Sequence, residues 1–383
     1  MGRVPRPGVY AAAILVKALA MLAILLHADA DAGTAAVARR TVAAGTAVDT
    51  TADGAAGRTA GADTALRPEQ LAVVINEADP DSIEVGAYYV RRRAIPAANV
   101  VRVSMPGKPR RISPQRLRLL RQEIDSRLGP QVRAVLMVWT APYAVDCNGL
   151  TAAYTLGFDA AQCRDTCAPG KPSPVFNARA GELAGQAHPA HGLRLAMLLP
   201  TDSIDGARAL IDRGVAAGFR TLPATAYYLS TSETARNARS GFFPPPGRIA
   251  ARRLRTAVLR ADALDGAGDV LVYQTGMARV AKLETLGFVP GALADHLTSL
   301  GGDLLGEHGQ MSSLRWLEAG ATASYGTVSE PCNHWQKFPN PSVLLRHYLA
   351  GDTALEAYWK SVAWPAQGVF IGEPLARPYR PSR

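Results

Sequence analysis

The sequence predicts an α/β protein, a three-layer and mainly parallel sheet with helices on both faces. Three observations carry that expectation. Continuous apolar runs of strand length recur about thirty residues apart, capped helical segments lie between them, and Pro or Gly closes each segment. A strand with one wet face alternates apolar and polar residues, whereas a strand covered on both faces does not have to.

The first run is LAVVI, Leu71 to Ile75. Asp79-Pro80-Asp81-Ser82 follows and caps a helix to about Arg93, with Pro tolerated in the first turn. Pro96 ends that region before VVRV at Val100 to Val103. Ser113-Pro114 opens a second helix, stopped by Gly129-Pro130, and AVLMV at Ala134 to Val138 is the third strand. Residues 140–191 then read as an irregular insertion rich in Gly, Pro and polar side chains. Beyond it the rhythm resumes with a strand at Leu193 to Leu199, a helix from Ser203 to Ala217 and a strand at Thr225 to Leu229. A helix is expected from Ile249 to Ala263, then a strand at Val270 to Tyr273, a helix at Met311 to Glu318 and a strand at Ala321 to Tyr325. Helices at Ser342 to Leu349 and Thr353 to Val362 precede GVFIGEPL.

The N-terminus reads as an export signal over residues 1–30. Arg3 and Arg6 supply its positive end, Ala18 to Leu26 its apolar core, and Ala28-Asp29-Ala30 a small-residue cleavage pattern. A retained anchor is the alternative, although the apolar run is short of the about 20 residues that span a bilayer. Residues 31–66 have scarcely a large apolar side chain and read as a disordered linker, so a single folded domain is expected over 67–383. The expected location is periplasmic, cell-surface or extracellular.

Length and composition, 383 residues with 48% hydrophobic and 19% charged side chains, describe a globular chain. The net charge of +10 favours anionic partners. Its basic runs (Lys108 to Arg111, Arg116 to Gln122, Arg252 to Arg255) have few aromatics among them and read as solvated helix faces. Nucleic acid is therefore not an expected partner. A peptide or a cell-envelope polymer is, with membrane contact only through an uncleaved N-terminal segment. Neither a Walker A loop nor a dinucleotide fingerprint occurs, so no cofactor is expected.

In an oxidising compartment Cys147, Cys163, Cys167 and Cys332 read first as two disulfides with three possible connectivities. Cys147 is near enough in sequence to Cys163 or Cys167 for a local staple. A free nucleophilic thiol at Cys332 is the alternative. Zinc fits less well, because the spacings match no common ligand pattern. His188 and His191 lack a third ligand, so no metal is expected.

Ligands of open parallel sheets bind beyond the carboxyl ends of the strands. That rule nominates Asn76, Asp79, Asp81, Thr140, Tyr143, Gln274, Thr275, Thr327, Glu330 and Cys332, with Ser299 as a further binding residue. His296 and Cys332 form the pair with the most pointed chemistry. An imidazole that takes the thiol proton makes a nucleophile, and Asp295 or Glu330 would orient that imidazole. Each has a plainer role: Cys332 in a disulfide, His296 as a hydrogen-bonded histidine, Asp295 and Asp79 as helix caps, His334 as a surface contact. Acid–base work by Asp79 and Glu330 is a third option.

The segments VVINEADPDSIEVGAYYVRRRAIPAANVVRV, VLMVWTAPYAVDC, PGALADHLTSLGG, WLEAGATASYGTVSEPCN and EAYWKSV resemble a family of exported bacterial proteins to which no activity is attached. More distantly, the chain resembles gingipain-type cysteine peptidases of the caspase-like clan. In those, His follows one central strand and Cys the next, and a Gly-Asp-Pro turn often closes the domain, here Gly372-Glu373-Pro374. The resemblance implies a caspase-like hydrolase with His296 and Cys332 as the dyad. A second match sets Gln274-Thr275-Gly276 where the His belongs and puts the Cys position near Asp295 to Ser299. On that match the chain is a relative without the dyad. The competing expectation to a hydrolase is a non-catalytic envelope or surface protein whose strand-end cleft binds a peptide or glycan.

Overall fold

The computed structural model describes residues 64–179, 193–306 and 308–381. The expected export signal, most of the linker and the His188–His191 pair lie outside them. Packing starts just ahead of Arg67: Ala65 and Leu66 are buried, and the Leu66 amide donates to both carboxylate oxygens of Glu356.

β1 (Leu71–Asn76) is wholly buried, and α1 (Pro80–Arg93) follows it as the sequence predicts. The Asp79 carboxylate accepts from the Asp81 amide at 3.1 Å, Pro80 occupies the first turn, and Ala94 ends the helix in the left-handed region. β2 (Val100–Val103) and the short β3 (Arg111–Ile112) precede α2 (Pro114–Asp125), which Ser113 caps through the Arg116 amide. β4 (Ala134–Val138) is again fully buried.

The region expected to be irregular holds structure: β5 (Ala144–Val145), β6 (Asn148–Gly149), α3 (Leu150–Leu156) and α4 (Ala160–Arg164). Every residue of α3 except Leu156 is buried, so this segment lies against the domain. β7 (Leu195–Leu198) leads to α5 (Ile204–Ala216), capped by Ser203 through the Gly206 amide, and to β8 (Ala224–Ser230).

Two elements depart from expectation. In place of a helix over Ile249 to Ala263 the chain forms β9 (Gly247–Ile249) and β10 (Leu254–Arg260). Apolar residues there fit either period. Thr256 and Val258 are β-branched, and β10 gains a parallel partner in β8 along its whole length, so pairing prevails over local pattern. After β11 (Val270–Thr275) comes β12 (Phe288–His296), which Pro290-Gly291 disguises as a turn. The pairing of β12 with β11 shifts between Val270 and Val272, and this bulge absorbs the two breakers, with Gly291 at φ 87°.

α6 (Leu314–Glu318) and β13 (Ala323–Thr327) follow, each starting two or three residues later than predicted. α7 (Pro341–Ala350) is capped by Asn340 and ended by Gly351. α8 (Ala354–Ser361) opens on a Thr353/Glu356 capping box. β14 (Gly368–Gly372) completes the set.

Eleven strands form one mainly parallel sheet in the order β2-β1-β4-β7-β14-β13-β12-β11-β8-β10-β9. β9 is antiparallel to β10 and β14 to β13. α1, α5 and α6 pack over one face, and α2, α3, α7 and α8 over the other. The three layers of the expected fold class are therefore present. The carboxyl ends of β4, β7, β12 and β13 share an edge. There the Thr201 amide donates to Thr140 Oγ1, the Tyr143 hydroxyl to Asp303, and Arg111 Nη2 to the Val328 carbonyl.

Candidate functional site

Asp295 and His296 end β12, a strand-end position that the sequence-based strand assignment missed. Adjacent residues of a strand point to opposite faces, and this fact decides their roles. Asp295 faces α8 and is fully buried. It forms an ion pair with Arg239, and it accepts from Gln274 Nε2 at 2.9 Å and the Tyr358 hydroxyl at 3.3 Å. Arg239 also donates to the carbonyls of Thr275, Asp295 and Pro339. Burial, with the Asp295 charge adding to it, pushes the hydroxyls of Tyr228, Tyr325 and Tyr358 well above their usual range.

His296 lies on the other face, against α6. Trp316 Nε1 is 2.9 Å from its Nδ1, and the Met311 carbonyl is 3.0 Å from its Nε2. An indole N–H can only donate and a carbonyl can only accept. The imidazole is therefore the neutral tautomer protonated at Nε2, and both nitrogens are occupied. Burial pulls its pKa down to about 3, with the Arg239 and Arg236 charges adding to the fall.

Cys332 is bridged to Cys167, and Cys147 to Cys163; no free cysteine remains among the described residues. The predicted pair of disulfides is present, with the local staple at Cys163. As a bridged sulfur, Cys332 has no thiol proton to lose, so the nucleophile expected there is corrected to half of a cystine. His296 in turn has no nitrogen left to act as base, and Asp295 cannot orient an imidazole on the opposite face of its own strand. Glu330 accepts from the Cys332 amide at 2.8 Å, an exposed local turn contact. His334 Nε2 meets the Cys167 carbonyl at 2.8 Å, and Lys337 Nζ donates to the Thr166 carbonyl at 2.5 Å. Burial draws the Lys337 ammonium down to about 8. Cys332, His334 and Lys337 thus clamp the Cys167 loop to the segment after β13.

The other nominated residues are engaged in local structure. Asn76 brackets Met105, donating to its carbonyl at 3.0 Å and accepting from its amide at 2.8 Å. Asp79 caps α1 and meets Lys108 at 2.7 Å, and Asp81 meets the same ammonium at 3.1 Å. Thr140 Oγ1 donates to Asp202 and accepts from the Thr201 and Asp202 amides. Thr327 Oγ1 donates to the carbonyls of Thr298 and Ser299. Gln274 Oε1 and Thr275 Oγ1 are buried without a partner. Among the described residues, no group of three or more His, Cys, Asp or Glu is placed to hold a metal ion.

Sequence reasoning passed over one cluster. The Asp303 carboxylate, 6% exposed, takes the Tyr143 hydroxyl on Oδ1 and His308 Nε2 at 2.6 Å on Oδ2, and the His308 side chain is 51% exposed. Burial and the Asp303 contact push the Tyr143 hydroxyl well above its usual range, so it stays a donor. The segment GGDLLGEHG offered only an Asp and a His among glycines. Open grooves lie elsewhere, around β9, β10 and α7; one is lined by Arg248, Arg253, Arg255 and Asp269.

No family model matches the chain, and no curated protein matches it. Solved structures do. A chain described as a protease aligns at a TM-score of 0.45 with 8% identity, over 82% of this chain and 79% of its own. The Arg-specific cysteine proteinase gingipain R (RgpB) aligns at 0.36 with 12% identity, over 81% and 78%. The complex of Porphyromonas gingivalis RgpB pro- and mature domains aligns at 0.32 with 9% identity, over 80% and 79%. Likeness of this degree assigns no activity to the chain.

Proposed function

We propose that this chain is an exported, non-catalytic envelope or surface protein that binds a peptide or cell-envelope polymer and has no working thiol–imidazole dyad. One observation carries the reading. Cys332 is in a disulfide, and His296 has both ring nitrogens engaged and a pKa drawn down to about 3. Two cystines also suit an oxidising compartment, and no helix among the described residues is long and apolar enough to cross a membrane.

Mass spectrometry of the unreduced protein after iodoacetamide treatment tests the reading. No cysteine is expected to be alkylated, and no peptide amide hydrolysis is expected. Hydrolysis that disappears in Cys332→Ala but persists in Cys147→Ala would overturn it.

A second reading, hydrolysis by a water that an imidazole activates, rests on His308. Its ring is half exposed and held by a buried carboxylate, the arrangement that fixes a tautomer and supports a general base. Activity indifferent to iodoacetamide yet lost in His308→Ala would establish that reading in place of the first.

A further inference from the structure

We propose that the open edge of β10 at Ala257–Arg260 takes an acidic, extended peptide as an added strand. The inference rests on the reading of the chain as a binder and names its ligand class and site. β10 pairs with β8 from Leu254 to Arg260, but β9 covers it only at Leu254, Arg255 and Thr256. Backbone groups alternate sides along a strand, so two of the four remaining residues turn N–H and C=O outward, where no strand among the described residues meets them.

The reason for the gap is in the sequence. Antiparallel continuation of β9 would set Pro246, Pro245 and Pro244 opposite Ala257, Val258 and Leu259. Proline has no N–H to give a ladder. The chain peels away instead, with the Thr256 hydroxyl donating to the Pro245 carbonyl at 2.6 Å, and leaves a groove between Pro246 and Leu259. Val258 and Leu259 are 38% and 37% exposed although they point to opposite faces, so neither helical layer reaches this edge. The far edge of the sheet is protected: Arg127 donates to the Arg102 carbonyl, and Arg116 to that of Ser104 at 2.9 Å.

Charge selects the occupant. Arg248 and Arg255 line the groove and Arg260 is the last, exposed residue of β10; none of the three is in an ion pair among the described residues. Two such edges repel each other, which disfavours a second copy, whereas glutamates on an added strand would meet them. Strand addition supplies affinity through the backbone and selectivity through alternate side chains.

Fluorescence anisotropy of the full chain with a labelled octapeptide of alternating glutamate and valine tests the proposal. Saturable binding is expected. It should weaken at least tenfold when alternate amides of the peptide are N-methylated, when lysine replaces glutamate, or in the Arg255→Glu/Arg260→Glu variant. Amide hydrogen exchange of the unmodified protein is the companion measurement, with slowing within Ala257–Arg260 on adding the peptide. Binding indifferent to N-methylation and to the variant would overturn the site while leaving the binder reading standing. Protection of these amides through self-association without peptide would overturn it in favour of a second copy. Thiol-dependent cleavage of the peptide would instead overturn the binder reading.

Discussion

His296 shows how a residue that looks catalytic becomes structural through its partners. Its imidazole is neutral because charging it would place a cation in a fully buried site where the indole N–H of Trp316 already points at Nδ1. The consequence for stability has a definite sign. The folded-state pKa is about 3 and the unfolded value about 6.5, so between these pH values the unfolded chain binds a proton that the folded chain refuses. Stability is therefore full above about pH 6.5 and falls as pH drops toward 3, by about 1.4 kcal/mol per pH unit. Urea unfolding of the wild type and of His296→Gln at pH 7 and pH 4.5 measures this. The variant is expected to be less stable at pH 7 yet to lose about 2–3 kcal/mol less than the wild type on acidification. Equal acid sensitivity of the two proteins would refute the neutral, buried imidazole. Trp316→Phe tests the same contact from the other side. It leaves Nδ1 as a buried acceptor without a donor, at a cost of about 1–3 kcal/mol.

At the scale of elements, the segment after β12 is held by close backbone approach. Gly302 donates its amide to the Thr327 carbonyl at 2.8 Å, and a Cβ on Gly326 would stand 2.4 Å from Gly301 C and Gly302 N. Only glycine at 326 lets the loop lie on β13. Gly326→Ala is expected to destabilise the protein by about 1–3 kcal/mol or more, read as a lower urea midpoint. Gly241→Ala, where a Cβ meets nothing within 4 Å, should leave that midpoint nearly unchanged. If both variants unfolded alike, the close approach would be wrong. The same scale explains what the sequence reveals. β1, β4 and β11 are legible because burial on both faces forces an unbroken apolar run, and α1, α2 and α5 because their caps are local. β12 is not, since Pro290-Gly291 is a turn signal unless the bulge against β11 is known. That single omission concealed the opposite-face geometry of Asp295 and His296, and with it the reason they cannot act together. The pairing of His308 with Asp303 depends on how a loop closes, and no short-range pattern encodes it.

For the whole molecule, the two disulfides differ in what they constrain. Cys147–Cys163 closes a short stretch with a sequence separation of 16, whereas Cys167–Cys332 ties the segment after β4 to the segment after β13 across a separation of 165. On the chain-entropy account, cross-linking removes freedom from the unfolded chain in proportion to the logarithm of the loop. The short bridge is then worth about 3 kcal/mol and the long one about 5 kcal/mol. The long bridge also acts with His334 and Lys337, whose contacts to Cys167 and Thr166 span the same seam. Cys332 thus has a sufficient structural role in the fold. Paired replacement removes each bridge without leaving an odd thiol, so Cys147→Ala/Cys163→Ala and Cys167→Ala/Cys332→Ala can be compared directly by urea unfolding. The second pair is expected to lose more stability, by about 2 kcal/mol. Both pairs should keep the peptide affinity of the β10 edge, which neither bridge touches. A Cys167→Ala/Cys332→Ala protein as stable as the wild type would show that the long bridge does not brace the fold, and Cys332 would again need another explanation.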